Sequence, residues 1–281
     1  MEINQFRKTS RLYLRAEAQR RAEEGGRPPY RTLLRDVSFT APFKIMQPFP
    51  QKDGGLQVML LAASAGIMEG DRQEFEFEVE PHARLEFISQ SYDKIHQMKE
   101  GKARRVTRVR VGKEASFRFH PQPTIPFAES AYESEMKVFL EDHTSRFQMS
   151  EIFTCGRYAM GEAFAYRYYH SLVEICRGEK LIYRDNVRYE PSLFDMAGMG
   201  MYESYTHLLS MFVTCPDNPE GFLEQAREFL SGQPDLRGGI TRLASGDFAV
   251  RVLGHRAQRL EECSGRLMEL ASCYYSQPFQ N

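Results

Sequence analysis

The stretch AGIMEGDRQEFEFEVE, residues 65–80, joins a glycine-bearing turn to a strict alternation of apolar and acidic residues. On an extended chain Phe75, Phe77 and Val79 point to one side, and the glutamates between them point to the other. This alternation predicts a strand that is buried on one face and solvated on the opposite face.

The same two-residue period recurs through the first two thirds of the chain. It is seen in RLEFIS (84–89), ASFRFH (115–120), EMKVFL (135–140), RFQMSEIF (146–153), AFAYRYYHSLVEIC (163–176) and EKLIYRD (179–185). The short links between these segments leave no room for the helical crossovers of βαβ units. The sequence therefore predicts a mainly β fold, with antiparallel pairing or a coiling sheet.

Helices are predicted near the C-terminus. Residues 217–232 carry Asn218 as N-cap and Pro219 at the first helical position. Residues 255–275 place apolar side chains at spacings of three and four, which is typical of one helical face. The stretch 202–214 fits either a helix or a buried strand. We interpret EEGGRPPY, residues 23–30, as a mobile loop within a single domain that spans residues 1–281.

Composition limits the class of protein. The net charge of -1 gives no overall attraction to nucleic acid or to an anionic membrane. The longest nearly apolar run, residues 58–68, is shorter than the roughly 20 residues of a spanning helix. The N-terminus has no apolar signal region, and the five cysteines are an odd number, which fits reduced thiols in the cytoplasm.

One local patch is basic. Residues 99–113 carry seven basic side chains and one acid. Arg104, Arg108 and Arg110 would share one strand face, which is either a solvated face or a contact for an anionic protein. Nucleic acid is a poor fit because no aromatic residues are interleaved.

The search for site chemistry leaves one unusual carboxylate. The chain has no phosphate-binding GxxxxGK[ST] motif, no HxH or HxxxH pair and no nucleophile arrangement, so no catalytic residue is predicted. Glu151, however, shares its phase with Phe147, Met149 and Phe153, so its carboxylate should face the core. Either it forms an internal salt bridge with Arg157 or another arginine, or it lines a polar channel.

Five motifs, in this order, resemble the urease accessory protein family called UreD, or UreH in Helicobacter. They are SAGIMEGD (64–71), SQSYDKIH (89–96), PQPTIPF (121–127), SEIFTCGRYAMGEAF (150–164) and LIYRDN (181–186). The resemblance runs from about residue 31 to the C-terminus, and the first 30 residues match loosely. The first turn is similar to the Helicobacter form.

The resemblance implies a fold and a role. The fold is a β-helix-like stack of short strands with a few helices. The role is that of a non-enzymatic cytoplasmic scaffold that binds UreF, meets the GTPase UreG through the complex and docks on apo-urease. No cofactor is tightly bound, and nickel is an ion in transit through an internal tunnel. The alternative is a scaffold that only bridges proteins.

The resemblance also implies site residues. Asp71, Glu151 and Asp185 would line the nickel path, and Gly66 and Gly70 would shape the first turn. Further motif positions are Lys94, Pro123, Pro126, Gly156, Arg157 and Glu162. Asp93 either joins the ion path or pairs with Lys94, and the sequence leaves this open.

Overall fold

The computed structural model describes residues 9–21 and 28–275. Within this part of the chain there are 18 strands, two α-helices and one short 3-10 helix, Tyr158–Met160. The first nine strands are β1 (Ser10–Arg20), β2 (Tyr30–Phe39), β3 (Phe43–Ile45), β4 (Phe49–Pro50), β5 (Leu56–Ala62), β6 (Arg72–Val79), β7 (Arg84–Gln90), β8 (Asp93–Ile95) and β9 (Ala103–Val111). The others are β10 (Ser116–His120), β11 (Thr124–Pro126), β12 (Ala131–Leu140), β13 (Arg146–Thr154), β14 (Tyr168–Arg177), β15 (Lys180–Tyr189), β16 (His207–Val213), β17 (Arg237–Arg242) and β18 (Phe248–Gly254). The helices, α1 (Pro219–Ser231) and α2 (Ala257–Cys273), lie near the C-terminus, so the mainly β prediction is confirmed.

Two sheets face each other. Sheet A has the strand order β15-β14-β12-β9-β6-β1-β2. Sheet B has the order β17-β18-β16-β13-β10-β7-β5-β3, with the short strands β4, β8 and β11 paired beside it. Both sheets keep open edges, so neither closes into a barrel.

The middle of the chain coils between the two sheets. From β5 to β14 the longer strands alternate between sheet B and sheet A, so each strand pairs in parallel with the strand one coil earlier. The chain returns through the opposite sheet instead of through a helix, which is why parallel pairing arises with short links. The β-helix-like stack is confirmed, and the coiling sheet was the correct alternative for this region.

The alternation that opens the sequence behaves as predicted. Phe75, Phe77 and Val79 of β6 are buried between the sheets. The glutamates of β6 lie on the outer face of sheet A, where Arg108 and Arg110 of the neighbouring β9 are exposed. Arg104, Arg108 and Arg110 of the basic run therefore share a solvated face in this structure, whereas Arg105 lies on the opposite face of the strand.

The two helices cover the outer face of sheet B. The Asn218 side chain accepts a hydrogen bond of 3.0 Å from the Gly221 amide and caps α1, as the sequence predicts. Phe222 of α1 and Leu260 of α2 are fully buried against sheet B in one cluster with Val250. In the described ranges no helix is both long enough and apolar enough to cross a bilayer.

Three segments differ in the structure from what the sequence predicts. Residues 163–167 are not strand, because the Phe164 amide donates to the Cys155 carbonyl and the Arg167 amide to the Ser130 carbonyl within a crossover. The ambiguous stretch 202–214 contains strand β16 and no helix. Residues 23–27 of the predicted loop lie outside the described residues, and Tyr30 already belongs to β2.

Candidate functional site: stacked crossovers and a polar belt

Four of the five sequence motifs occupy equivalent places in successive coils. Each of the segments 64–71, 89–96, 121–127 and 150–164 leads from a strand of sheet B to a strand of sheet A. Motifs that are far apart in sequence are therefore neighbours along one side of the coil. We call this set the stacked crossovers.

Backbone hydrogen bonds join the stacked crossovers. The Ile67 amide donates to the Lys94 carbonyl at 2.7 Å, and the Asp93 amide donates to the Pro123 carbonyl at 3.0 Å. The Phe127 amide donates to the Ile95 carbonyl at 2.9 Å. The motifs thus form a ladder whose pairing their sequences alone do not reveal.

The first turn needs its glycines for steric reasons. Gly66 has a φ of 150°, and a Cβ atom there would lie 2.4 Å from the Lys94 carbonyl oxygen. Gly70 has a φ of 84°, in the left-handed region that side chains rarely adopt, and its amide donates to the Lys102 carbonyl at 3.0 Å. The turn is therefore held against the next coil by backbone contacts.

The side chains of Asp71 and Glu69 both stabilise this turn through hydrogen bonds. The Asp71 carboxylate accepts a hydrogen bond of 2.8 Å from the Met68 amide, which closes the turn on itself. The Glu69 carboxylate accepts from the Lys99 and Gly101 amides at 2.8 and 2.6 Å, and these bonds lower its pKa. Both carboxylates sit among backbone amides at the edge of the coil.

The last crossover is held by an ion pair. Gly156 has a φ of 123°, and a Cβ atom there would meet the Glu162 carbonyl oxygen at 2.4 Å. The Arg157 guanidinium pairs with the Glu162 carboxylate and lies 4.1 Å from the centre of the Phe127 ring. The expected salt bridge between Glu151 and Arg157 is therefore wrong, because Arg157 is engaged by Glu162.

The remaining motif positions belong to the same ladder. Lys94 is exposed at the surface, whereas Pro123 and Pro126 are buried beside it in the neighbouring crossover. Glu162 also accepts a hydrogen bond of 3.1 Å from the Ala128 amide, which ties the third crossover to the fourth. These contacts are structural, and they leave the carboxylates inside the coil as the site to consider.

Two rows of polar residues cross the core. On the inner face of sheet A, Gln73, Arg105, Ser134 and Ser171 are in register across four neighbouring strands. On sheet B, Glu151, Ser210 and Arg251 are in register across three strands. We call these residues, with Asp93 and Asp185, the polar belt; it separates an apolar cluster that contains Phe147 from another that contains Phe153.

Arg105 anchors one end of the polar belt. Its guanidinium lies 2.6 Å from Asp93, donates to Gln73 at 2.8 Å and stacks over the Phe75 ring at 4.8 Å. Asp93 therefore pairs with Arg105, and the alternative of a pair with Lys94 is wrong. The Arg105 side chain is 12% exposed, so this pair is held inside the protein.

Arg251 and Asp185 form the other end. The guanidinium of Arg251 lies 2.5 Å from the Asp185 carboxylate. Tyr183 and Tyr189 line the same cavity as Asp185. The Arg251 side chain is 41% exposed, so this end of the polar belt reaches the surface.

Glu151 lies between the two ends without a partner. In the ranges that the structure describes, no hydrogen bond or ion pair reaches its carboxylate. Burial raises the pKa of Glu151 to about 7, while the charge of Arg105 lowers it and that of Asp185 raises it. This is a carboxyl group that changes charge near neutral pH.

Glu151 and Asp185 line one small cavity. The cavity has a volume of about 30 Å³ and is walled by oxygen-bearing side chains and apolar ones, Tyr169, Tyr183 and Ser210 among the former. A space of this size holds a water molecule or two. Asp71 does not line the cavity.

The structure thus groups two of the three predicted path residues and leaves the third apart. In the described part of the chain no cluster of three or more His, Cys, Asp or Glu side chains is arranged to hold a metal ion. The arginines of the polar belt were missed from sequence. Arg105 had a signal, because it shares its phase with the apolar residues Val109 and Val111, whereas nothing in the pattern around Arg251 marks it.

The chain was compared with known proteins. The family model described as "UreD urease accessory protein" matches residues 13–279, including part of the N-terminal segment that had matched only loosely. The chain is 38% identical over 259 residues to a protein of Acetivibrio thermocellus named "Urease accessory protein UreD", covering 92% of this chain and 95% of that one. It is 33% identical over 243 residues to a Helicobacter pylori protein named "Urease accessory protein UreH", covering 86% and 90%.

Proposed function

This chain belongs to the UreD family of urease accessory proteins, and from that premise we propose that it is a cytoplasmic scaffold of urease maturation that passes nickel to apo-urease. It binds UreF directly, meets the GTPase UreG through the complex and docks on apo-urease. It carries out no catalysis of its own, since the family is an accessory family. Nickel is its cargo, and it holds no tightly bound cofactor.

The polar belt is the observation that supports a nickel path. Glu151 offers a carboxylate to which no group in the described part of the chain is bonded, and it lines a cavity with Asp185 within the polar belt, which separates two apolar clusters. Burying such a group is costly, so its presence in the core favours a use other than packing. Oxygen donors with few nitrogen or sulfur ligands suit passage, because a strong site would retain the ion.

Asp71 has a different place in the proposal. It lies at the edge of the stacked crossovers and is not in the polar belt, so it would meet the ion before the ion enters the core. The hydrogen bond from the Met68 amide to its carboxylate also gives it a structural task. A test must separate these two roles.

Conservative substitutions in a reconstituted urease activation assay make that separation. Asp71→Asn keeps an oxygen that can accept the Met68 hydrogen bond, and Glu151→Gln keeps the size of the side chain, while both remove charge. We expect each to lower the nickel content and activity of urease several-fold while the complex with the partners still forms. The exposed residue Glu269 on α2 provides the matched control, Glu269→Gln, which should activate urease fully.

The measured quantities are urease activity, nickel per active site and the yield of the accessory complex. If Asp71→Asn, Glu151→Gln and the corresponding alanine variants all activate urease fully, the path through these acids is wrong.

The second candidate function is bridging alone, and the turn-closing bond of Asp71 favours it for that residue. In that case Asp71→Ala lowers stability or complex yield, whereas Asp71→Asn behaves like the natural protein. Nickel transfer per complex formed would then be unchanged in every variant.

A further inference from the structure

The two arginines of the polar belt are held very differently. Arg105 has Asp93, Gln73 and the Phe75 ring as partners, and its side chain is 12% exposed. Arg251 is 41% exposed, so its guanidinium can turn into solvent without a large loss of packing. One end of the polar belt is therefore fixed, and the other can open.

Arg251 holds a carboxylate that a cation would need. Its guanidinium lies 2.5 Å from the Asp185 carboxylate, on the cavity that also contains the free carboxylate of Glu151. A divalent cation bound to Asp185 would repel a guanidinium at that distance, and this repulsion favours departure of the guanidinium when the cation binds.

We propose that Arg251 is a movable plug on Asp185, which a divalent cation displaces to enter the polar belt and which returns when the cation leaves. This inference rests on the proposed nickel path and adds the residue that keeps the path from storing the ion. The displacement would free the Asp185 carboxylate, which lines one cavity with the Glu151 carboxylate and the Tyr183 hydroxyl. These oxygen donors suit a divalent cation that keeps part of its water shell.

Charge counting within the polar belt agrees with this role. With Glu151 ionised, the belt has three carboxylates, Asp93, Glu151 and Asp185, against two guanidinium groups, so its net charge is -1. Without Arg251 the charge is -2, which balances one divalent cation. With the Arg251 guanidinium in place, the net charge of the polar belt is therefore one unit short of the charge that would balance a divalent cation.

The test is the binding of Ni²⁺ alone to the full chain, measured by equilibrium dialysis at pH 8. We expect Arg251→Gln to bind one Ni²⁺ more per chain than the natural protein. Its affinity for this ion should be at least tenfold higher than the affinity of the natural protein for Ni²⁺ in the polar belt. Arg251→Gln/Asp185→Asn should lose this gain. The matched control is Arg184→Gln, which removes an exposed arginine of β15 whose partner, Glu174, lies 3.5 Å away, and it should bind Ni²⁺ as the natural protein does.

The proposal is overturned if Arg251→Gln folds normally, as judged by its circular dichroism and melting temperature, yet gains no Ni²⁺ site. If that variant does not fold, Arg251→Lys decides, because it keeps a positive charge but loses the two-pronged guanidinium. We expect it to bind Ni²⁺ at least threefold more tightly than the natural chain, and equal binding would contradict the plug.

The failure of the plug and the failure of the nickel path can be told apart. If Glu151→Gln blocks urease activation but Arg251→Gln gains no site, the plug is wrong and the path stands. If Arg251→Gln gains the site but Asp71→Asn, Glu151→Gln and the corresponding alanine variants all activate urease fully, the path is wrong, while the displacement of Arg251 by a divalent cation still holds for the isolated chain.

Discussion

Glu151 is the one carboxylate of the polar belt that has no arginine bonded to it. Burial raises its pKa from the ordinary 4.5 to about 7, so between these values the folded chain binds a proton that the unfolded chain releases. Stability therefore falls as the pH rises from 4.5 to 7, and the loss is complete above pH 7. A shift of this size corresponds to roughly 3 kcal/mol at most.

Glu151→Gln should remove that pH dependence. We expect the variant to be more stable than the natural chain by about 1 to 3 kcal/mol at pH 8 and to differ little from it at pH 4.5, because the folded glutamic acid is then neutral, as glutamine is. Urea unfolding at these two pH values measures the difference. A constant difference between the two proteins across this range would show that Glu151 is ionised and well solvated in the folded state.

Gly156 tests the packing of the stacked crossovers. Gly156→Ala places a Cβ atom 2.4 Å from the Glu162 carbonyl oxygen at a φ of 123°, and we expect a loss of stability on the order of 3 kcal/mol. Gly239→Ala is the matched control, since a Cβ there meets no atom within 4 Å. Thermal melts of the two variants compare them, and equal melting temperatures would mean that the fourth crossover is loosely held.

For a single residue, the sequence predicts which way the side chain faces better than it predicts which other residues the side chain contacts. The phase of Glu151 within β13 indicated a carboxylate that faces the core, and the structure places it on an internal cavity. Its neighbours Arg105 and Arg251 come from distant strands, and no local pattern states which strands will be adjacent. The same limit explains why Asp93 could be assigned to Lys94, the next residue, and not to Arg105.

At the scale of elements, the N-terminus of α1 is set by a single side chain. The Asn218 oxygen accepts the Gly221 amide at 3.0 Å, in front of Pro219. Asn218→Ala should cost about 1 kcal/mol, whereas Asn218→Gly should cost only roughly 0.3 kcal/mol, because glycine leaves the amide open to water. Urea unfolding of the two variants checks this order, and equal losses would argue against capping by the side chain.

Strands and helices could be predicted from the sequence where one face of the element is buried and the other is exposed to solvent. The alternation in β6 and the capping signals of α1 are local, so the chain shows them directly. Stretch 202–214 was ambiguous because Leu209 and Met211 of β16 are buried under the helices while Leu208 and Phe212 are buried between the sheets. A strand that is covered on both faces loses the alternation that distinguishes it from a helix.

At the scale of the whole molecule, one end of the coil exposes three large apolar side chains. Two neighbouring loops, joined by a contact of 5.0 Å between the Phe164 and Tyr202 rings, expose Met160, Leu193 and Met199 at 72%, 68% and 96%. Grouped apolar side chains of this kind are typical of surfaces that bind other proteins.

Replacing Met160, Leu193 and Met199 together by serine should reduce self-association of the isolated chain and weaken its accessory complex at least several-fold. The melting temperature should stay within a few degrees, because none of the three is buried. Light scattering and complex yield measure the effect, with Phe139→Ser/Leu181→Ser on the outer face of sheet A as the control. If the control variant acts as strongly, exposed apolar area in general is responsible and this end has no special role.

The coiled path of the chain also has a consequence for how the protein can vary in length. Each coil docks only on the coil before and the coil after it, as in other solenoids, so a whole coil can be added or deleted where its crossover is short. An extra coil between β5 and β7 would leave Glu151, Ser210 and Arg251 in register. One inserted between β9 and β12 would move Arg105 a strand away from Ser134 and divide the polar row of sheet A. We expect length variation among relatives to fall before Gln73 and after Arg251, where the interior charges are untouched.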